Sequence, residues 1–274
     1  MQLLTRTPDT PTRRPALSSN DRSACGIWKG LAGMTVPLDT LTIPDHIHGY
    51  PQVAFGGYVA GMLAGRSGAP TVRIDFRRPI AVATPLILTA DDGHAALTSP
   101  DGTLLAEATP AALTLTPPPA PSWSEAKTAT ETALSSPARG ITDCYGCGAA
   151  CAPGRGIRLF SWSLPGRAMM TAAWTPDPGL AAENGELTAE SVWSALDCPG
   201  GIAAFIHSDM ARGAVTAALT ATQLNPIHAG EDYISHAWPI SRDGRKHTVG
   251  VAISTPRGEL CALAEALWVE PRVS

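Results

Sequence analysis

Two phrases of this chain occur twice, in the same order. "RRPIAVATPLIL" at 77–88 is echoed by "LNPIHAGEDYIS" at 224–235, and "PDGTLLAEA" at 100–108 by "PRGELCALA" at 256–264, so that Pro79 matches Pro226 and Gly102 matches Gly258. In each, turn residues bound short runs of Val, Ile, Leu and Thr, the pattern of antiparallel strands joined by hairpins. Chance recurrence of Pro and Gly is the competing account; the shared order argues against it. A helix precedes the strands in each half. One begins in "FGGYVAGMLAG" (55–65); the other runs through "LTAESVWSALD" (187–197), with Thr188 as N-cap and Glu190 near the positive end of the dipole. An apolar helix followed by a curved antiparallel meander, met twice, is an α+β arrangement in which a sheet wraps its helix to bury it.

Between the halves, "LTLTPPPAPSWSEAKTATETALSSPARG" (113–140) turns to Pro, Ser, Thr and Ala without apolar periodicity, as a surface linker does. The expected organisation is a mobile tail at 1–24, a first domain at 25–115, a linker at 116–140 and a second domain at 141–274. With 274 residues, 44% of them hydrophobic and 16% charged, there is material for two ordinary cores. The net charge of −4 and the lack of a basic patch exclude nucleic acid as a natural partner. Arg13 and Arg14 have no apolar run behind them, and no stretch is long enough to span a bilayer, so no membrane is expected. Six cysteines (Cys25, Cys144, Cys147, Cys151, Cys198 and Cys261) without a secretory signal suit reduced thiols in the cytoplasm.

Several of these phrases together resemble a known family. "FGGYVAG" followed by "FRRPIAVATPLIL" in the first half, and "SALD", "VTAALTATQLNP" and "GELCALAEALW" in the second, are similar to the double hot dog acyl-CoA thioesterases of the type II class. "CYGCGAACAPGRGIRLF" is similar to the opening of many hot dog domains. The resemblance covers most of 45–115 and 140–271. It implies a tandem hot dog fold of two antiparallel sheets, each wrapped around a central helix. It also implies hydrolysis of an acyl-CoA or acyl-carrier-protein thioester, with no cofactor, in a monomer or homo-oligomer.

Thioester hydrolysis needs donors on the carbonyl and a base for water. Asp197 ends a helix whose apolar face is Val192, Trp193 and Leu196, where partial desolvation would raise its basicity. A side chain that merely caps the amides around Pro199 and Gly200 is the alternative; the resemblance favours the general base. Gly56 and Gly57 leave a helix N-terminus open to a ligand, with the Gly57 amide as oxyanion donor, or else serve close packing of helix on sheet. From the resemblance alone, Thr216 would help hold the water. The family's third polar group, a glutamine, has no match: Ala266 stands in the gap-free register and Glu265 is one position off, so either Glu265 serves by a shifted register or the group is missing.

His46 and His48 precede the first helix and could enter the same cleft. His48 is a candidate for binding substrate, and either histidine opposite Asp197 would suit a hot dog dehydratase, although the spacing of neighbouring residues departs from those enzymes. A non-catalytic acyl-binding protein is a third possibility. Cys144, Cys147 and Cys151 have zinc-like spacing but lack a fourth ligand, so no metal is expected, and "CYGCG" reads as a buried turn. Cys198 would be a nucleophile only with a histidine at hand. Laying "PGG" of 199–201 on "FGG" of 55–57 puts Val53 opposite Asp197, and aligning helix starts puts it near Gly65, so one site is expected and not two.

Overall fold

The computed structural model describes residues 36–137 and 142–272. The expected tail at 1–24, Arg13, Arg14 and Cys25 lie outside the described residues. Strand β1 (Val36–Thr42) leads into a short hairpin, β2 (His48–Tyr50) and β3 (Val53–Ala54), then α1 (Gly56–Ser67) and strands β4 (Thr71–Phe76), β5 (Pro85–Asp91), β6 (His94–Thr98) and β7 (Leu104–Pro110). Helix α2 (Trp123–Ser135) follows. The second half has β8 (Trp162–Ser163), β9 (Met170–Trp174), α3 (Ala189–Ala195), α4 (Cys198–His207), β10 (Val215–Gln223), β11 (Tyr233–Asp243), β12 (Lys246–Ser254) and β13 (Leu260–Val269).

The sequence predicts two sheets; the structure has one large sheet of eleven strands, ordered β1-β5-β6-β7-β4-β10-β13-β12-β11-β9-β8. The join is the antiparallel pairing of β4 with β10, from Thr71↔Thr222 to Asp75↔Ala218. Each of these is the first strand after a helix, and pairing them satisfies an edge that would otherwise be open. Outward from the join both sides run in the same sense: the fourth, third and second strands after the helix, then a strand that precedes it.

α1 lies on β4 to β7, and α4 on β11, β12, β9 and β13. Val59, Ala60 and Leu63 of α1 are fully buried. The opposite side of α1 carries Gly57, Gly61 and Gly65, spaced four apart, and packs on α3. A Cβ on Gly61 would stand 2.4 Å from the Ala189 carbonyl oxygen and from Glu190 Cα, so only glycine permits this approach. The packing anticipated for the Gly pair is thus helix on helix at Gly57, not helix on sheet.

Within the expected linker, α2 is a regular helix. Ser122 and Glu125 form a capping box, and Ala126, Ala129 and Ala133 are buried at helical spacing. Thr130 Oγ1 donates to the Ala173 carbonyl and accepts from its amide, fixing α2 to β9. Alanine gives such a weak apolar stripe that the periodicity escapes notice in the sequence. Among the described residues no helix is long and apolar enough to cross a membrane.

Candidate active site

Thr188 caps α3 as predicted, its hydroxyl accepting from the Ser191 amide, and Leu196 closes that helix. Asp197 follows at φ −94° and ψ −72°, and the next residue begins α4. "CPGG" therefore kinks the path and opens a second helix, with Pro199 in a first turn that needs no amide donor from it. The Asp197 carbonyl accepts from the amides of Gly200 and Gly201, but its side chain makes no capping bond. It reaches across to two other elements.

Oδ2 accepts the Gly57 amide of α1 at 2.8 Å, and Oδ1 accepts the Thr216 hydroxyl of β10 at 2.7 Å. The carboxylate is 1% exposed. Burial pushes its pKa up to about 6, against the opposing pull of the Thr216 and Gly57 hydrogen bonds. Each carboxylate oxygen can accept two hydrogen bonds and holds one donor among the described residues, which leaves a lone pair on each for a further donor such as water. A Cβ on Gly56 would lie 3.1 Å from Oδ2 and 3.6 Å from Thr216 Oγ1. Glycine at 56 keeps that flank of the carboxylate clear.

Asp197, Thr216, Gly56 and Gly57, each named from the sequence, lie together in the structure, and Gly57 meets a different partner from the one expected. The Gly57 amide, predicted to face a substrate oxyanion, is occupied by Asp197. A Cβ there would meet Ser194 Cα at 2.7 Å and Trp193 O at 2.8 Å, so Gly57 also permits close helix contact. The amides of Gly56 and Tyr58, in the same first turn, have no acceptor within the helix.

Neither residue proposed for the third polar position stands opposite Thr216. Glu265 pairs with Thr220 and Ala266 with Leu219; Thr216 pairs with Trp268. An irregularity between Thr216 and Ala218 shifts the register by one residue, which brings Trp268 rather than Val269 opposite Thr216. The Trp268 ring covers the start of α4, where a Cβ on Gly201 would be 2.6 Å from it. Its buried indole N–H has no hydrogen-bond partner among the described residues. Trp268 thus faces Thr216 across the ladder, a neighbour that the sequence alone does not point to.

His48 lies apart from the carboxylate's hydrogen bonds. Its Nδ1 bonds the Asp45 carbonyl at 2.8 Å and its Nε2 faces Asp143 Oδ2 at 3.3 Å; the first of these, then Asp143, raises its pKa against burial. His46 sits 4.0 Å from the Asp45 carboxylate. Tyr50 donates its hydroxyl to the Ala214 carbonyl at 2.8 Å. Cys198 Sγ lies 3.6 Å from Cys144 Sγ. Hydrogen bonding to Cys147, together with burial, pushes the Cys144 thiol up to about 12, and Cys198 is raised by its contacts with Cys144 and Cys147 and by burial. A thiol so held is protonated at neutral pH and does not meet the requirement for a nucleophile.

No protein-family model matches this chain, and no curated protein matches it. Solved structures do. A protein from Novosphingobium aromaticivorans assigned as a thioesterase is 13% identical, with a TM-score of 0.59 over 87% of this chain and 98% of its own. The tesB protein of Mycobacterium avium subs. paratuberculosis is 15% identical, with a TM-score of 0.54 over 82% and 91%. A conserved protein with a hot dog fold from Alicyclobacillus acidocaldarius is 13% identical, with a TM-score of 0.54 over 86% and 93%. At this identity the likeness establishes a shared fold, which is the hot dog fold.

Proposed function

We propose that this chain is an acyl thioesterase in which Asp197 acts as general base on the attacking water. One observation carries the reading: the one buried carboxylate among the described residues, held by a helix amide from one half and a strand hydroxyl from the other. In the proposed reaction Thr216 and Gly57 fix the carboxylate, and its remaining lone pairs orient a water and take its proton. The thioester carbonyl lies on the open flank at Gly56, polarised by the amides of Gly56 and Tyr58 at the positive end of α1. Because Asp197 is 1% exposed, substrate entry requires its cover to part.

The neighbour assigned as a thioesterase supports the hydrolase reading; the substrate proposed is an acyl-CoA, with an acyl-carrier-protein thioester as the other form of the same chemistry. The same proposal reads 25–115 and 141–274 as two hot dog domains joined through 116–140, each with its own central helix, in a thiol-bearing protein suited to the reducing cytoplasm. A dehydratase would need a histidine against Asp197, and the ring nitrogens of His48 face Asp45 and Asp143 instead.

The test is release of free thiol from a panel of acyl-CoA and acyl-carrier-protein thioesters of increasing chain length. Hydrolysis that is lost in Asp197→Ala while the variant still melts cooperatively supports the assignment. Dehydration of a 3-hydroxyacyl thioester without thiol release would overturn it, as would acyl binding with neither reaction.

A further inference from the structure

The sequence offers Cys144, Cys147 and Cys151 as a spaced trio, but the fold selects a different one. The sulfurs of Cys144, Cys147 and Cys198 all lie within 4.8 Å of one another. Cys151 is turned aside, its thiol directed to the carbonyls of Asp143 and Cys144 at 3.5 and 3.4 Å. Two thiolates bound to one tetrahedral zinc at about 2.3 Å stand about 3.8 Å apart, and Cys144 and Cys198 are already 3.6 Å apart.

The backbone is shaped for this approach. Cys144 and Cys147 share a turn closed by the Gly148 amide on the Cys144 carbonyl at 2.7 Å, and a Cβ on Gly148 would meet the Cys144 and Thr142 carbonyl oxygens at 2.6 Å. At Gly146 a Cβ would stand 2.8 Å from Cys198 Sγ and 2.6 Å from the Phe55 ring, so glycine lets the turn sit against the third thiol. The turn is further tied down by the Tyr145 amide, which donates to the His48 carbonyl at 2.8 Å. Cys198 opens α4, whose N-terminal dipole would offset the single negative charge left when three thiolates meet a divalent ion.

We propose that Cys144, Cys147 and Cys198 bind one zinc ion, which links the turn before the second half to the first turn of α4 beside Asp197. On binding, three S–H protons pass to solvent as three zinc–sulfur bonds form, and nothing is oxidised. The fourth position falls to solvent or an added ligand. The inference does not depend on thioester hydrolysis, and its readout is metal binding alone.

Cobalt(II) serves as the probe. The full chain, stripped of metal by a chelator under reducing conditions, is titrated with cobalt(II) while sulfur-to-cobalt charge-transfer absorption is followed. The band is expected to saturate at one ion per chain and to be displaced by zinc. Affinity should fall about a hundredfold in Cys144→Ser and in Cys198→Ser and stay unchanged in Cys151→Ser. Thermal melts report whether each variant folds, with Cys198→Ala as a second replacement should serine not be tolerated. Absence of the band in the wild-type chain overturns the proposal without recourse to any variant. A band that survives Cys198→Ser but is lost in Cys151→Ser overturns it too, by placing the ion within the 144–151 segment alone.

Discussion

The two halves enter the shared sheet through helices that begin differently. α1 is capped by Phe55, which offers no acceptor, and its second residue, Gly57, carries a free-standing amide donor. α4 is capped by Asp197, and its second residue is Pro199, which has no N–H. One half supplies the carboxylate and the other the donor, so their meeting forms one hydrogen bond at 2.8 Å whose symmetric counterpart lacks both partners. The strand hydroxyl follows suit: in the register that matches Pro79 with Pro226, Thr216 falls on Ala69. This asymmetry gives the expectation of a single site a physical basis beyond a missing carboxylate. The alignment behind it changes, since the helix caps place Phe55, and neither Val53 nor Gly65, opposite Asp197.

The largest effect should come from removing the acceptor of that one bond. Asp197→Asn keeps the shape but cannot take a proton, and kcat for thioester hydrolysis should drop by about a hundredfold to ten-thousandfold. A variant that hydrolyses at the wild-type rate removes Asp197 from the reaction. Next is an attempt to build the mirror site. Phe55→Asp places a carboxylate at the other cap, where Pro199 has no amide to give and the aromatic contact with Tyr145 is lost. Burying it unpaired should cost about 3–5 kcal/mol, seen as a lower denaturation midpoint. Combined with Asp197→Asn it should restore no hydrolysis; recovered activity would show that the halves are interchangeable.

Smaller again is the effect on the contact that brings Gly57 to Asp197. Gly61→Ala forces a methyl group to 2.4 Å from the α3 backbone and should destabilise by about 1–3 kcal/mol. Gly65→Ala, whose Cβ would meet only the Ala189 methyl at 3.4 Å, should be much closer to neutral. Equal melting temperatures for the two variants would contradict the idea that the α1–α3 approach is set at Gly61.

Much of this site is legible in the sequence where local chemistry decides it. Thr188 announces a helix start, and Asp197 stands out as a carboxylate on an apolar face. What stays hidden depends on partners distant in sequence. The use of the Gly57 amide depends on α3 lying against α1, the place of Trp268 on a bulge in β10, and the third thiol of the cysteine cluster on a residue far along the chain. The single sheet is hidden for the same reason, because the pairing of β4 with β10 is a contact between halves that neither half encodes alone.

The halves also differ in how their second strands are covered, and this gives the smallest expected effect. β5 alternates between buried and partly exposed residues, as a sheet with one open face does, whereas residues 233–237 of β11 are buried without a break. The segment around α2 accounts for the difference, since α2 packs on β9 and β11. In the Pro79–Pro226 register, half-buried Thr89 matches His236, which is 1% exposed and stacked on Trp238. Burial lowers the pKa of His236 to about 4, with Arg167 adding to the fall. The unfolded chain takes up that proton near pH 6.5, so between these values it binds more protons than the folded chain, and stability declines as pH falls through this window. Acidifying from pH 7 to pH 5.5 should cost about 1 kcal/mol through this group. Asp197, raised to about 6, contributes with the opposite sign over the same window, so the histidine's share is read as the difference in slope between the wild-type chain and a His236 variant, from urea melts at the two pH values. In His236→Thr, which gives β11 the residue of its counterpart, absolute stability should drop from lost packing while the slope loses that share. A slope unchanged by that substitution would mean the cover over β11 already admits water to the ring.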